Sequence, residues 1–418
     1  LKRGTTSQRF IALLTPVRLA LSQLWPDLLW SRVALVSVGV MALAFLPWMY
    51  VSPTYNLSRD PLVLMFTRWD AMWYIDIARR GYWFKALAFF PLYPAAIAGL
   101  RWLTDMSAAW SAILISNAAL VGVMVVFWLL VREHYGERLA SQTTRCFLLF
   151  PTAFFLSAAY TESLFLLLVL LTFWLAERRQ LWAAGLTGFL AALTRNQGVL
   201  LIVPLIGAYA QLAWGSPEPS RLWRWVRADV LAVAGPAAGL LAFAVWQGLV
   251  FHRAGAFLAV QAAWGRVVAP PWVGIVAAIG RVISGEPLQA STVLSMMDLL
   301  AALAFLGLIV VGVRQRLPWS WLVFSGAAWL MDVSAPALGG ESPLLSMTRL
   351  VLVLFPGFVS LAMLTDTAAK PGAGGVRAGT LGTMVPWVFP MFQAMFFAIF
   401  ATWRWHRLHT DQVGEDPA

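Results

Sequence analysis

The sequence predicts an all-α polytopic membrane protein, and three observations carry that prediction. Of its 418 residues, 60% are hydrophobic and only 12% are charged, about half the ~25% charged share of a soluble chain. Uncharged apolar runs at Val33–Ser58, Leu299–Val313, Leu350–Thr365 and Leu381–Trp403 approach the roughly 17–25 residues that a helix needs to cross a bilayer. The remaining basic charge is clustered, at Arg132/Arg138/Arg145, Arg178/Arg179, Arg221/Arg224/Arg227, Arg314/Arg316 and Lys370/Arg377, as it is in cytoplasmic loops between crossings. In a soluble domain the net charge of +11 would point to nucleic acid. Here it fits loops facing anionic lipid, so membrane lipids rather than nucleic acid are the expected partners.

The chain opens with Phe10, Leu13, Leu14, Val17, Leu21, Leu24 and Leu28 at helical spacing among Lys2, Arg3, Arg9 and Arg18. That pattern predicts an amphipathic helix over 1–30 lying on the cytoplasmic membrane face, not a cleaved signal. A transmembrane domain over 31–403 follows, then a polar tail at 404–418. With the N-terminus cytoplasmic, eleven crossings place all five basic clusters inside. Their expected positions are about 31–51, 110–131, 142–159, 162–177, 181–194, 197–213, 229–250, 293–313, 318–337, 348–366 and 382–403. The run "ALAFFPLYPAAIAGLRWL" at 86–103 is apolar enough to cross, yet counting it would invert every later loop. Its Pro91 and Pro94 suit a short, broken helix dipping into the outer face. The first outer loop therefore spans 52–109, and a second, amphipathic outer segment spans 251–292. "KPGAGGVRAG" at 370–379 reads as a flexible cytoplasmic linker. A single cysteine, Cys146, excludes an intramolecular disulfide and a cysteine metal cluster and reads as a small buried hydrophobe.

Against this apolar background the first outer loop carries "RWDAMWYIDIARRGYW", Arg68 to Trp83. Charges within a membrane region are costly, so each raises a functional hypothesis. Glu162 interrupts "FPTAFFLSAAYTESLF", Arg195 sits in "LTRNQGVL", and Arg349 opens "RLVLVLFPGF". The predicted topology brings these three, with Asp298 and Asp332, to the outer leaflet beside Asp70. Plain structural roles compete for each. Glu162 and Arg195 can pair across neighbouring helices, Asp298 and Asp332 can cap or bond between helices, and Arg59, Arg79 and Arg80 can snorkel to headgroups. Trp69, Trp73, Tyr82 and Trp83 fit an interfacial aromatic belt. Asp76 and Arg80 share a helix face at i, i+4. Asp70 has no such partner, because its i+3 and i+4 neighbours are Trp73 and Tyr74. A carboxylate at a helix start, beside Arg68 and walled by aromatics, suits a general base acting on an alcohol. Arginines nearby would stabilise a departing phosphate. The candidates are Arg195 and Arg349, then Arg68 and Arg266. Glu162 would orient an acceptor or hold an arginine, with Trp69, Trp73, Tyr160 and His252 as further acceptor-side residues.

"RWDAMWYIDIARRGY", "AFFPLYP", "FPTAFFLSAAYTESLF", "LTRNQGVL" and "SMTRLVLVLFPGF", in that order over about 68–360, resemble the PIG-V family of mannosyltransferases. The resemblance implies a GT-C glycosyltransferase fold, a polyprenyl-phosphate sugar donor, a lipid or glycan acceptor, and neither a cofactor nor a nucleotide-bound metal. It also implies a catalytic acid in the first outer loop, here Asp70, and single-displacement transfer with inversion. Mannose is the favoured sugar. The residues after "RWD" read "AMWY", where the family commonly carries a histidine or phenylalanine pair, which alters the expected acceptor pocket. A composition rich in Ala, Arg and Trp leans toward a bacterial relative in the cell membrane, with its site facing outward. A transporter or lipid flippase, and a protein O-glycosyltransferase on the same scaffold, remain the alternative readings.

Overall fold

A computed structural model describes residues 6–45, 60–214, 228–287, 289–340, 342–366 and 378–402. The tail at 404–418, the linker residues 370–377 and the basic cluster at 221–227 lie outside these. Among the described residues the regular elements are all helical, apart from an isolated antiparallel bridge between Arg266 and Ala337. The helices are α1 Thr6–Phe45, α2 Pro61–Phe66, α3 Asp70–Arg80, α4 Leu92–Thr104, α5 Ala108–Leu149, α6 Glu162–Glu177, α7 Leu181–Ala192 and α8 Ile202–Trp214. They continue as α9 Val230–Val233, α10 Gly235–Phe251, α11 Ala256–Val260, α12 Pro271–Ser284, α13 Ala290–Arg314, α14 Trp319–Val333, α15 Met347–Leu350, α16 Phe355–Thr365 and α17 Ala378–Thr402.

The first helix runs unbroken through residue 30, so the segment expected on the membrane face and the first expected crossing form one helix. Its stretch Thr15–Ala44 is long and apolar enough to span a bilayer. α5 is a hairpin rather than one rod. Gly136 sits at φ 84°, ψ 171°, outside the helical region and open to glycine at little cost. A straight helix would hold Phe127 and Phe147 roughly 30 Å apart at about 1.5 Å per residue, yet their ring centroids are 5.7 Å apart. Trp128 Nε1 likewise donates to Ser141 Oγ at 3.1 Å. The limbs 108–135 and 137–149 thus correspond to the expected crossings at 110–131 and 142–159, the second limb ending ten residues earlier.

Besides α1, only α5 and α13 are both long and apolar enough to cross among the described residues, and two further candidates are pairs bent by 85°, α10 with 256–264 and 347–353 with α16. Among the described residues these candidates fall short of eleven full-length crossings. α6 spans 162–177 as expected, but other expected crossings are shorter helices completed by irregular chain, such as α14 (15 residues) and α16 (11 residues). Irregular backbone at membrane depth must be covered by protein. Every residue of 152–163 and of 350–360 is indeed buried.

The core between these segments is aromatic. Phe355 contacts Phe127, Phe173 and Trp321 with ring centroids at 5.9, 5.3 and 5.4 Å, mostly edge-on, the arrangement the ring quadrupole favours. α7 and α10 approach through glycine: a Cβ on Gly235 would lie 2.3 Å from the carbonyl oxygen of Gly185, and one on Gly239 2.4 Å from that of Phe189. Small residues let membrane helices pack backbone to backbone in this way, and α7, so packed, ends three residues before Arg195. The 86–103 segment forms a 3-10 turn at Phe84–Ala88 and then α4, which Pro91 precedes, as expected of a short, broken helix.

Candidate functional site

Asp70 is the first residue of α3 and Glu162 the first residue of α6, so both carboxylates lie at helix N-termini, where the backbone dipole favours negative charge. Trp69 before Asp70 has φ 48° and ψ −116°, and Ser346 before α15 has φ 68°. Such left-handed conformations cost a non-glycine residue of order 1–3 kcal/mol, and here they introduce the two helices that carry Asp70 and Arg349. Arg195 follows α7 in an extended conformation, before the 3-10 turn Asn196–Leu201.

These four side chains form a continuous chain of ion pairs. Arg349 Nη1 donates to Asp70 Oδ2 at 2.6 Å, closing a separation of 279 residues. Arg349 Nε lies 3.2 Å from Glu162 Oε1, an ion-pair contact without hydrogen-bond geometry. Arg195 Nη1 donates to the same Oε1 at 2.9 Å. Two acids and two bases leave the chain neutral. Side-chain exposure is 2% for Glu162, 13% for Arg349, 14% for Arg195 and 31% for Asp70, so Asp70 is the most open of the four. The Arg349 guanidinium also lies over the Tyr160 ring at 5.0 Å and the Phe155 ring at 5.7 Å, within reach of the ring quadrupoles.

A surrounding shell holds this chain in place. Asp298 Oδ1 accepts from Thr348 N at 2.9 Å and from Thr348 Oγ1 at 3.1 Å, and Thr152 Oγ1 donates to the Thr348 carbonyl at 2.7 Å. The residue before Arg349 is thereby fixed from both sides. Asp332 Oδ1 accepts from Gln197 Nε2 at 2.6 Å. Tyr160 Oη donates to the Arg68 carbonyl at 2.9 Å, tying the RWD segment to the chain that leads into α6. Burial, aided by the charges of Asp70 and Glu162, pushes the pKa of the Tyr74 hydroxyl up, so it stays a neutral hydroxyl group.

The other sequence candidates divide. Arg266 donates to the carbonyls of Ala335 and Leu345, each at 3.1 Å, while lying within electrostatic range of Asp332, Arg349, Asp70 and Arg195. Arg68 is buried and contributes its carbonyl. Trp69 turns edge-on to Phe400. Trp73 is sandwiched between Trp83 and Phe89 with Trp264 on its edge, an aromatic wall beginning three residues beyond Asp70. His252 stands exposed at the left-handed C-cap of α10, outside the contacts that join the cluster. Asp76 and Arg80 form their expected i, i+4 pair, at 4.0 Å. Sequence reasoning missed Gln197, Thr348 and Tyr74 as members. Gln197 lies within "LTRNQGVL" and Thr348 within "SMTRL", but a neutral polar residue beside a charged one gave no reason to single it out.

A second set of charges sits at the opposite helix ends. Glu177 closes α6, roughly 22 Å from Glu162 at about 1.5 Å per residue. It accepts from Trp321 Nε1 at 3.0 Å and pairs with His134 at 2.9 Å. Arg178 pairs with Glu133, Arg138 with Asp366 and Arg145 with Asp27. Among the described residues no three His, Cys, Asp or Glu side chains gather as a metal site.

The description "Mannosyltransferase (PIG-V)" belongs to the family model that matches residues 33–214. That match covers less than half of the chain. The PIG-V segment contains Asp70, Glu162, Arg195 and Gln197, while Arg349, Asp298 and Asp332 come from the chain beyond it. The chain is similar to the rat (Rattus norvegicus) GPI alpha-1,6-mannosyltransferase 2, at 33% identity over 147 residues, 32% of this chain and 30% of the rat protein. It is also similar to GPI mannosyltransferase 2 of Yarrowia lipolytica, at 30% identity over 140 residues, 33% of this chain and 39% of that protein. The matches thus span about a third of the length of these curated relatives. Among solved structures, ArnT from Cupriavidus metallidurans bound to undecaprenyl phosphate aligns with a TM-score of 0.49 at 12% identity, covering 91% of this chain and 76% of that one. The Archaeoglobus fulgidus oligosaccharyltransferase aligns at 0.42 and 13% identity, covering 90% and 55%.

Proposed function

We propose that the protein is an integral-membrane mannosyltransferase of the GT-C type, moving mannose from a polyprenyl-phosphate donor to a hydroxyl of a lipid or glycan acceptor on the extracytoplasmic face. The mannosyl-transferring description of the PIG-V segment and of its GPI mannosyltransferase relatives supports the reaction class. The Asp70–Arg349–Glu162–Arg195 chain carries the reading of the site. Asp70 is the general base. It takes the proton of the acceptor hydroxyl as that oxygen bonds to C1 of the mannosyl group, while the bond from C1 to the phosphate oxygen breaks on the opposite face. Inversion follows from this single displacement. The polyprenyl phosphate leaves with the bonding electrons, and Arg349 and Arg195 stabilise it.

The pairing of Arg349 with Asp70 at 2.6 Å adds a condition. While that hydrogen bond stands, Arg349 occupies the Asp70 oxygen that an acceptor hydroxyl would approach. Donor phosphate competes for Arg349, and the shift of that arginine toward phosphate releases Asp70 for its proton. Donor binding therefore precedes acceptor activation. The deciding experiment incubates the purified protein with polyprenyl-phosphate mannose and a membrane lipid extract and identifies the product by mass spectrometry. A mannosylated product formed by the wild-type protein and lost in Asp70→Asn is expected; product formation unchanged in that variant would end the assignment.

A further inference from the structure

Three buried acceptor oxygens around the ion-pair chain lack a hydrogen-bond partner among the described residues. Glu162 meets both arginines through Oε1, leaving Oε2 unpartnered; Asp332 meets Gln197 through Oδ1, leaving Oδ2 unpartnered; and Gln197 Oε1 is unpartnered as well. The three belong to one neighbourhood. Gln197 is hydrogen-bonded to Asp332 and follows by two residues Arg195, which holds Glu162. Asp332 lies within electrostatic range of Arg195, Arg266 and Arg349.

A buried acceptor without a donor costs about 1–3 kcal/mol, and native proteins keep few such groups. Three together describe a deficit of one chemical kind. Carboxylate and amide oxygens repel a phosphate and gain nothing from an apolar ligand. They need hydroxyl donors at fixed spacing, and a pyranose ring supplies several.

We propose that Asp332, Gln197 and the free Oε2 of Glu162 form a hydroxyl-reading subsite for the transferred sugar, distinct in role from the arginines that receive the phosphate. The proposal rests on the glycosyl-transfer reading above and names the residues that select the sugar. Arg195 and Arg349 retain the anion, while the three acceptors hold the ring through its O–H groups and set which hexose fits.

The test measures binding of the full-length protein in detergent to polyprenyl-phosphate mannose and to bare polyprenyl phosphate. The wild type is expected to bind the sugar-bearing ligand at least tenfold more tightly. Asp332→Asn, close in size, should cut that advantage about tenfold, the scale of one hydrogen bond to a charged group. Its affinity for bare polyprenyl phosphate should hold or rise, because a negative charge has left the neighbourhood of three arginines. A donor lacking the one hydroxyl that Asp332 reads should bind the wild type more weakly, yet lose nothing further in the variant. The subsite is overturned if both ligands weaken by the same factor in Asp332→Asn. It is also overturned if every monodeoxy donor loses the same factor in both proteins, as a trapped water on these oxygens would produce. Should the variant fail to accumulate, the wild-type series still decides: undiminished binding of every monodeoxy donor ends the proposal. A wild type that binds with the sugar advantage but transfers no mannose would instead sink the proposed function and leave the subsite standing.

Discussion

At the scale of single residues, the site is a ladder of alternating acids and bases in which each member is held by the next. Asp70→Asn keeps the shape and one acceptor oxygen but removes the base. Turnover should fall by about 10²–10⁴, the usual contribution of a general base, with little change in melting temperature, because Arg349 retains Glu162. Glu162→Gln should behave in the opposite sense. Glu162 is 2% exposed and meets both Arg195 and Arg349, so its neutralisation takes the paired carboxylate from nearly buried Arg195 and leaves Arg349 with Asp70 alone. Breaking a buried pair from one side costs about 3–5 kcal/mol. Thermal unfolding in detergent should report that loss even where donor binding is not measured. A Glu162→Gln protein as stable as the wild type would show that water or lipid already compensates these arginines. Asp70 was legible from sequence because its own helix offers it no partner at i+3 or i+4. Its actual partner, 279 residues away, was not legible as a partner: Arg349 stood out only as a charge in an apolar run. The pairing is set by how α15 docks beside α3, which no local pattern encodes.

At the scale of elements, hydropathy located the helices well and their shapes poorly. The turn at Gly136 falls between two expected crossings, and the charged run around it, "VREHYGER", was readable as a loop. That the second limb of α5, α14 and α16 would be cut short was not readable, since apolar sequence at 150–161 and 350–354 serves equally as helix or as buried irregular chain. The α7–α10 contact makes a sharper demand. Gly235→Ala would place a methyl group 2.3 Å from the Gly185 carbonyl oxygen, and the two backbones must separate to accept it. Overpacking of this kind costs about 1–3 kcal/mol. Because α7 delivers Arg195 three residues beyond its end, donor affinity should fall together with stability. Gly99, on α4, would meet nothing within 4 Å if given a Cβ, so Gly99→Ala serves as the matched control and should leave both quantities near wild type. Equal losses in the two variants would mean that the α7–α10 approach is looser than these distances require.

At the scale of the whole molecule, the two charge clusters at opposite ends of α6 give the fold a direction. One end gathers Asp70, Glu162, Arg195 and Arg349; the other pairs Glu133, His134, Glu177 and Arg178. The excess of basic residues in the loops near the second end argues that it faces the cytoplasm, which would turn the first end outward. The chain has a single cysteine, Cys146, and it is buried, so a thiol introduced at the surface can be read against a silent background. Arg179 and Arg253 are both exposed, and three expected crossings separate them: 181–194, 197–213 and 229–250. Arg253→Cys should react with a membrane-impermeant maleimide in intact cells, while Arg179→Cys should react only after permeabilisation. Labelling of both from one side would break the odd count of crossings between them. The reverse pattern would put the acid of the RWD segment in the cytoplasm, where a donor displayed on the outer leaflet could not reach it.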